Sequence, residues 1–560
     1  MKRSYISNIQ NLENINLLDE DSLDMTEQRI RVRNIAVLGL LLLLSLGTYT
    51  MVDATLENTP MELLEFSTFL GGSGDECMET IAYAFGSTTV DSKGNIIVVG
   101  RTTSTDFPLK NAFQDQLNGY TDSTISKFYP NGSLMFSTYF GGSQQELITG
   151  VAVDSDDNIL IAGITGSSDF PLMNAFQSNS TNVSGGTTDC FITKFSEDGQ
   201  SLLFSTYFGG TGNDWLYTMT VDSSDRIVIS GTTQSTDFPL LHPVQDVNAG
   251  SLDIFVSLFE VDGQALLFST YLGTTGIDHG RGIDFDSQGD IVLTGIVSSG
   301  NLTTEGAYQE EYAGGSSDAF LAKFHVNGTL AYFTFFGGAS LEWGNALIVD
   351  SEDNVIITGF TTSDDLPTLN PYQDERVEYA DMFITKFTPD GQSIVFSTYL
   401  GGSSVDHGNA ITVDSHDNII VTGQTNSVDF PTTLLYNTTS DYYSNVTLVA
   451  FDPDGSLLFS MAFGRLDNDI GIEVVWHSDY SFVILGYTRS TDFPVYEAYQ
   501  GSNGGDYDMF IMKLNLENLM TTSPTSTSAD GFPIGVLEGG IVLGIIAAVA
   551  LALFVRKKLG

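Results

Sequence analysis

The sequence predicts an all-β fold, a seven-bladed β-propeller of four-stranded blades that the N-terminal strand closes. The first observation is a phrase, Phe-Ser-Thr-Tyr-Leu-Gly-Gly at 396–402, that recurs along the chain with a fixed period. The second is that four short β-type segments lie between successive copies, which is the strand content of one propeller blade. The first glycines of the seven copies are Gly71, Gly141, Gly209, Gly273, Gly337, Gly401 and Gly464; a second glycine follows in all but the copies at Gly273 and Gly464.

The second unit shows how one blade is assigned. Segments 151–154 and 159–162 alternate apolar and polar residues around a Ser-Asp-Asp-Asn turn, which predicts a hairpin. Asp-Phe-Pro at 169–171 then predicts a loop, because proline cannot occupy a central strand. Segments 189–195 and 202–208 supply the third and fourth strands, and the fourth ends in the glycine pair.

Seven complete four-stranded blades are obtained only if the two ends of the repeat region pair with each other. Segment 63–70 is a fourth-type strand with no three strands before it, and the last unit has three strands but no fourth. The N-terminal strand is therefore expected to complete the last blade, which leaves no open sheet edge. We predict a propeller over about 62–518; a solenoid is the alternative, but no capping repeats are visible.

Composition limits the partners. The chain has 560 residues, and 42% hydrophobic with 11% aromatic residues suffices for a large core. Its 70 acidic against 21 basic residues give a formal net charge of −49, which argues against binding to nucleic acid. Two cysteines, Cys77 and Cys190, are too few for a disulfide scaffold.

The two ends of the chain indicate a membrane protein. We assign 1–34 as a polar cytoplasmic leader and 35–54 as a signal peptide or signal anchor with a basic flank. Near the other end, 519–533 is a Thr/Ser-rich stalk, 534–555 an apolar transmembrane helix and 556–560 a basic cytoplasmic tail. The propeller is therefore expected outside the cell, anchored in the cell membrane.

Glycosylation sequons agree with an extracellular propeller, although such tripeptides also arise by chance in a chain rich in Asn, Ser and Thr. The candidate acceptors are Asn131, Asn179, Asn182, Asn301, Asn327, Asn437 and Asn445.

The repeated phrases resemble the SBBP-type beta-propeller repeat family. They are Phe-Ser-Thr-Tyr-Phe-Gly-Gly at 204–210, Val-Ala-Val-Asp-Ser at 151–155, Asp-Phe-Pro at 169–171 and Asp-Cys-Phe-Ile-Thr-Lys-Phe at 189–195. The resemblance covers the whole predicted propeller and implies an exported or surface protein. It carries no catalytic residues to this chain. Unit 4 departs from the pattern at 301–303, and unit 6 departs at Asn445 and Ala450.

An acidic residue stands five positions after the first glycine of every copy. Seven carboxylates at one mouth of the channel would favour a hard cation, so calcium is the one cofactor the sequence suggests, and none is certain. The alternative is that each acid caps backbone N–H groups of its own turn. These plus-five acids are Glu76, Glu146, Asp214, Asp278, Glu342, Asp406 and Asp469.

The next position, plus six, varies from unit to unit. Trp215, His279, Trp343 and His407 occupy it in four units and are candidates to line a ligand pocket at the channel mouth. The alternative is that these side chains pack between blades.

A lysine recurs in the third strand of five units, which predicts a structural ion pair with a repeated acid. These residues are Lys127, Lys194, Lys323, Lys386 and Lys513.

No sequence motif for a catalytic nucleophile, a metalloprotease or a phosphate loop is present, so we do not expect an enzyme. The sequence favours a membrane-anchored surface propeller that acts as a binding or adhesion module for protein or glycan. A structural component of the cell envelope is the alternative, and a carbohydrate-active lyase or hydrolase is the second alternative.

Overall fold

The computed structural model describes residues 63–76, 86–181, 186–300, 302–434, 443–465, 467–478 and 480–520. These residues form seven four-stranded antiparallel sheets arranged as the seven blades of a propeller, as predicted. A four-residue helix, α1 (Glu517–Met520), follows the last strand. No helix among the described residues is long and apolar enough to cross a bilayer.

The strands are numbered along the chain. The first strands of the blades are β2 (Ser87–Val90), β6 (Glu146–Val153), β10 (Asp214–Val221), β14 (His279–Phe285), β18 (Glu342–Val349), β22 (Asp406–Val413) and β26 (Asp469–Ser478). The second strands are β3 (Ile96–Thr102), β7 (Ile159–Thr165), β11 (Ile227–Thr233), β15 (Ile291–Val297), β19 (Val355–Thr361), β23 (Ile419–Thr425) and β27 (Ser481–Thr488).

The third strands are β4 (Asp122–Phe128), β8 (Asp189–Phe195), β12 (Asp253–Phe259), β16 (Asp318–Phe324), β20 (Asp381–Phe387), β24 (Asn445–Phe451) and β28 (Asp508–Asn515). The fourth strands are β5 (Leu134–Phe140), β9 (Leu202–Phe208), β13 (Leu266–Leu272), β17 (Leu330–Phe336), β21 (Ile394–Leu400), β25 (Leu457–Phe463) and β1 (Leu64–Leu70).

The ring closes through the N-terminal strand. In the last blade the strand order is β1-β28-β27-β26, so β1 supplies the missing fourth strand, as predicted. The first strands contact one another around the ring, including β26 with β2 across the seam. The first strands therefore surround the central channel, and the fourth strands form the outer edge.

The core lies between neighbouring blades. Ile125 and Phe140 of the first blade, for example, pack in one cluster with Phe191 and Tyr207 of the second. The loop that carries Asp-Phe-Pro folds along the outer strand and buries its phenylalanine; Phe170 is 3% exposed. The backbone N–H of Phe170 donates to the Tyr207 hydroxyl, and this hydroxyl donates to the Ser167 carbonyl. The residues of the repeated phrases thus form contacts that hold one blade together.

Four of the five repeated lysines form buried ion pairs with the first aspartate of the hairpin turn, which confirms the predicted structural role. Lys127 Nζ lies 2.9 Å from Asp91 Oδ2, and neither side chain is exposed. Lys194, Lys323 and Lys386 pair with Asp154, Asp286 and Asp350. The fifth, Lys513, pairs with Glu65, whose side chain is 38% exposed.

The two apolar segments, the leader, most of the stalk and the basic tail lie outside the described residues, as does Cys77. Cys190 is buried with a free thiol.

Candidate ligand site at the channel mouth

The plus-five acids lie where each blade begins. Glu146, Asp214, Glu342, Asp406 and Asp469 are the first residues of their strands, and each is buried. The Gly142 N–H donates to Glu146 Oε2 at 3.0 Å, and the Thr165 hydroxyl donates to Oε1 at 2.7 Å. These contacts are the ones expected if each acid caps its own turn, because the donors belong to the same glycine turn and to the paired strand.

The seven acids occupy seven separate pockets. Among the described residues, the one group of three acidic ligand atoms within 4.8 Å is Asp91, Asp157 and Glu197, which contains none of the plus-five acids. Lys93 already pairs with Asp157 and Glu197 in that group. In the part of the chain that the structure describes, no three plus-five acids bring their carboxylate oxygens within 4.8 Å of one another.

A second acid stands beside six of the seven plus-five acids. The aspartate that opens the third strand faces the same glycine: a Cβ added to Gly71 would lie 2.4 Å from Asp508 Oδ1 and 2.7 Å from Glu76 Oε2. Only glycine fits there. In the sixth blade, Asn445 replaces this aspartate beside Asp469, so the pair carries at most one charge.

Burial raises the pKa of the plus-five acids. It raises the pKa of Glu76 to about 8, of Glu146, Asp214 and Asp469 to about 7, and of Asp278 and Asp406 to about 6. The pKa of Glu342 is raised for the same reason. Protons rather than metal ions are thus sufficient to reduce the charge of these paired acids.

The plus-six residues are positioned by pairing with the second strand. Trp215 pairs with Thr232, His279 with Ile296, Trp343 with Phe360 and His407 with Gln424. The partner position is as variable as plus six itself, although a glycine precedes it in every blade and a threonine follows it in all but the fourth, which has Val297. Each of the six blades whose plus-six residue is described therefore presents a pair of variable side chains beside the channel.

A β-bulge follows two residues after plus six in every described first strand that contains this position. The register shift leaves one residue unpaired, and a bulge of this kind turns its side chain out of the regular alternation. The bulged residues are Thr149, Tyr217, Arg281, Asn345, Asn409 and Ile472, and all but Ile472 are polar or aromatic. All six line a channel cavity of about 620 Å³.

Six of these residues form one contiguous set of contacts, here called the aromatic arc: His279, Tyr217, Arg281, Trp343, Phe360 and His407. The Arg281 guanidinium lies 4.7 Å from the Trp343 ring centre and 5.6 Å from that of Tyr217. Phe360 contacts Trp343 at 5.2 Å and stacks on His407 at 3.9 Å, measured between ring centres. Tyr217 meets His279 edge-on at 5.8 Å. The arc spans four blades.

Both imidazoles of the arc are neutral near pH 7. Burial, and after it the positive charge of Arg281, lowers the pKa of His279 and of His407 to about 4. His279 Nδ1 lies 2.9 Å from the Thr232 hydroxyl. Arg281 is the one basic side chain among the described residues that line the 620 Å³ cavity, apart from the neutral His407.

The four predicted ligand residues divide between two neighbouring cavities. Trp343 and His407 line the 620 Å³ cavity, and Trp215 and His279 line a second cavity of about 480 Å³. Tyr217 lines both. The second cavity also contains Arg101, which occupies the variable second-strand position of the first blade.

The sequon asparagines lie in different surroundings. Asn131 and Asn327 sit in exposed hairpin turns and accept hydrogen bonds from Ser133 and Thr329, and Asn179 is also exposed. Asn445 is 3% exposed at the start of β24, which closes it to a glycan in the folded protein. Asn182, Asn301 and Asn437 lie outside the described residues.

Comparison with known proteins agrees with the blade architecture. The beta-propeller repeat family SBBP matches residues 136–171 and 395–431, which correspond to parts of the second and sixth blades. The chain carries SBBP-type beta-propeller repeats. Each matched segment runs from the fourth strand of one blade to the Asp-Phe-Pro loop of the next, as the repeated phrases predict.

Curated relatives are distant. An uncharacterised WD repeat-containing protein of Acanthamoeba polyphaga mimivirus is 23% identical over 275 residues, 42% of this chain and 20% of that protein. The regulatory protein FlaEY of Caulobacter vibrioides is 25% identical over 233 residues, 41% of this chain and 22% of that protein. The chain thus spans about a fifth of the length of these relatives.

Two solved structures align with most of this chain and with nearly all of their own length. A protein of unknown function from Dyadobacter fermentans covers 81% of this chain, with 98% of its own length aligned, a TM-score of 0.38 and 10% identity. A polysaccharide lyase, an ulvan lyase bound to -[GlcA(1-4)Rha3S]-, covers 83% of this chain, with 100% of its length aligned, a TM-score of 0.44 and 10% identity. These values transfer no activity to this chain.

Proposed function

We propose that the protein is a membrane-anchored, cell-surface propeller that binds a protein or glycan ligand at the channel mouth and does not catalyse a reaction. The aromatic arc carries this proposal. In a repeat whose turns, glycines and strand cores recur almost unchanged, the variable positions gather beside a cavity of ligand size and hold aromatic, imidazole, amide and guanidinium groups.

The chemistry of the arc suits binding. Flat rings such as Trp343 and Phe360 supply large contact areas at a small cost in conformational entropy, and Trp and Arg dominate the free energy of many interfaces. Neutral His279 and His407 can each donate or accept a hydrogen bond. The apolar segments near both ends of the sequence support the membrane anchor and the extracellular location.

The test is saturable binding of the full chain to an array of neutral and acidic oligosaccharides and extracellular-matrix proteins. For any ligand that binds, Trp343→Ala is expected to weaken binding by about tenfold or more, because the ring would be lost from the centre of the arc. Trp476→Ala is the matched control, since Trp476 is 40% exposed at the other end of its strand and lines neither cavity.

Two results would reject the proposal. Saturable binding that Trp343→Ala leaves unchanged would place the ligand elsewhere, and no saturable binding to any probe would favour a structural role in the cell envelope.

A carbohydrate-active enzyme is the second candidate, and two channel acids favour it. Asp284 and Glu473 both line the 620 Å³ cavity, and burial raises the pKa of Asp284 to about 6 and of Glu473 to about 7. Carboxyl groups in this range are suited to general acid catalysis. Release of shorter glycans from a bound polysaccharide, lost in Glu473→Gln, would establish catalysis; intact polysaccharide after incubation would exclude it for that substrate.

A further inference from the structure

We infer that the ligand of the channel mouth is an acidic sugar unit, a pyranose bearing a carboxylate or sulfate, whose negative group pairs with Arg281. This inference rests on the proposed binding function and names the ligand class.

The first argument is the location of Arg281. The chain is strongly acidic, with 21 basic residues in all, yet one of them stands at a bulge in the wall of the central cavity. Its neighbours in the repeat, Tyr217 and Asn345, show that a neutral residue fits the same bulge. A positive charge at this point would attract an anionic group from solvent and would repel cations.

The second argument is how the guanidinium is held. Trp343 and Tyr217 contact it at 4.7 and 5.6 Å, the range of cation–π interactions. A planar guanidinium that is fixed by rings donates hydrogen bonds from its edge, and this geometry matches the two oxygens of a carboxylate or sulfate. Arg281 is thus held in place before the ligand arrives, which reduces the entropy that binding must overcome.

The third argument is the composition of the surrounding wall. Trp343 and Phe360 provide ring faces on which a sugar ring can lie. Asn345 donates from Nδ2 to the Gly408 carbonyl, and its Oδ1 is buried without a hydrogen-bond partner among the described residues. An unpaired buried acceptor costs free energy, and a sugar hydroxyl would satisfy it. A fixed guanidinium, flat apolar faces and a vacant acceptor together fit an acidic sugar better than a neutral peptide.

The test measures binding of the full chain to three probes with the same ring: an oligomer of galacturonic acid, its fully methyl-esterified form, and a sulfated galactose oligomer. The acid should bind at least tenfold more tightly than the ester, because the ester cannot form the charged pair. Arg281→Gln should weaken binding of the acid by about tenfold to a hundredfold and should leave the ester almost unchanged.

Two variants separate the role of the guanidinium from a loss of folding. Arg281→Lys retains the charge but removes the planar fork, and it should recover only part of the affinity. Arg489→Gln is the matched control, because this arginine also stacks on a tyrosine, Tyr507 at 5.3 Å, but forms an exposed ion pair and lines neither cavity. Thermal melting of each variant confirms that it is folded.

The outcomes are distinct. Preference for the sulfated probe with the same dependence on Arg281 would assign sulfate as the anionic group. Equal binding of acid and ester, or binding of the acid that Arg281→Gln does not change, would overturn the inference but leave the channel mouth as a binding site. Failure of every probe on the wider array to bind would overturn the proposed function as well.

Discussion

Buried ion pairs contribute to the stability of the blades that carry the repeated lysine. Asp91 and Lys127 are fully buried and 2.9 Å apart. Burial by itself would raise the pKa of Asp91, but hydrogen bonds from Asn95 and Lys127 outweigh it and lower the pKa below the ordinary value. The pair is therefore charged in the folded protein, and it is the type of pair that tolerates the loss of one partner poorly.

Lys127→Met is expected to lower the free energy of unfolding by about 3–5 kcal/mol, because Asp91 would remain buried without its cation. Chemical denaturation monitored by circular dichroism measures this change. Lys93→Met is the control on the same turn, where the lysine is half exposed, and it should change stability little. Equal effects of the two substitutions would show that burial of the pair is irrelevant.

The plus-five acids make the folded protein less stable as pH rises, because their pKa values are raised whereas that of Asp91 is lowered. The pKa of Glu146 is raised from 4.5 to about 7, first by burial, so the folded protein retains a proton that the unfolded chain releases. Because the folded state binds more protons, stability should fall as pH rises from about 4.5 to about 7. Melting temperatures between pH 4.5 and 8 should show this fall, and Glu146→Gln should reduce its slope. Glu352→Gln, at an exposed turn, is the control, and an unchanged slope in Glu146→Gln would contradict the assignment.

At the scale of the strands, the plus-six side chains are positioned by a close approach between the first and second strands of a blade. The carbonyl oxygen of each of the six described plus-six residues lies against a glycine of the second strand; a Cβ at Gly359 would stand 1.7 Å from the Trp343 carbonyl oxygen. The same contact recurs at Gly163, Gly231, Gly295, Gly423 and Gly486. This glycine therefore permits the strand geometry that presents the plus-six side chain.

Gly359→Ala should destabilise the protein by about 1–3 kcal/mol and should weaken ligand binding, because the first strand must shift and would carry Trp343 with it. Equilibrium denaturation and a binding titration measure the two effects. Gly501→Ala is the control, since nothing lies within 4 Å of its added Cβ. Wild-type binding by a destabilised Gly359→Ala variant would mean that this contact does not position the ring.

The sequence predicted the blades because their signals are local and repeated. Period-two strands recur in every unit, and the Asp-Phe-Pro loop and the glycine pair recur in most of them. The structure has its strands where the period-two segments lie. The plus-six residues could also be selected, because they vary beside a constant acid. The second-strand partners, such as Arg101 and Phe360, were missed, although their variation directly after a constant glycine was a signal that the sequence offered.

The bulged residues could not be identified from the sequence. Arg281 and Tyr217 line the cavity because the register shifts at their positions, and this shift depends on pairing between strands rather than on local composition. The hydrogen-bond donors around each plus-five acid could not be predicted from the sequence either. Those of Glu146, for example, include Thr165 and Ser167, which come from the neighbouring strand and loop.

At the scale of the whole molecule, closure of the ring depends on one N-terminal strand. β1 pairs with β28 from Leu64↔Leu514 to Leu70↔Met509, and Phe66 and Phe69 are 1% exposed. Without β1, the edge of β28 and the apolar surface beneath it would face solvent.

Deletion of residues 64–70 is therefore expected to give a chain that aggregates as its concentration rises and melts at a lower temperature than the intact protein. Size-exclusion chromatography with light scattering, together with thermal melting, tests this. Removal of residues 1–62, which keeps β1, is the control and should leave the propeller monomeric in that assay if the strand alone closes the ring. A monomeric, stable protein without β1 would contradict the closure.

The most direct test of ligand binding at the channel mouth uses tryptophan fluorescence. The chain has three tryptophans, so a Trp476→Phe variant retains only Trp215 and Trp343, one in each cavity. Titration of this variant with the glycan or protein that binds best on the array should change its fluorescence saturably, with a midpoint equal to the independently measured dissociation constant. Saturable binding with no change in the emission of these two rings would show that the ligand binds away from the channel mouth.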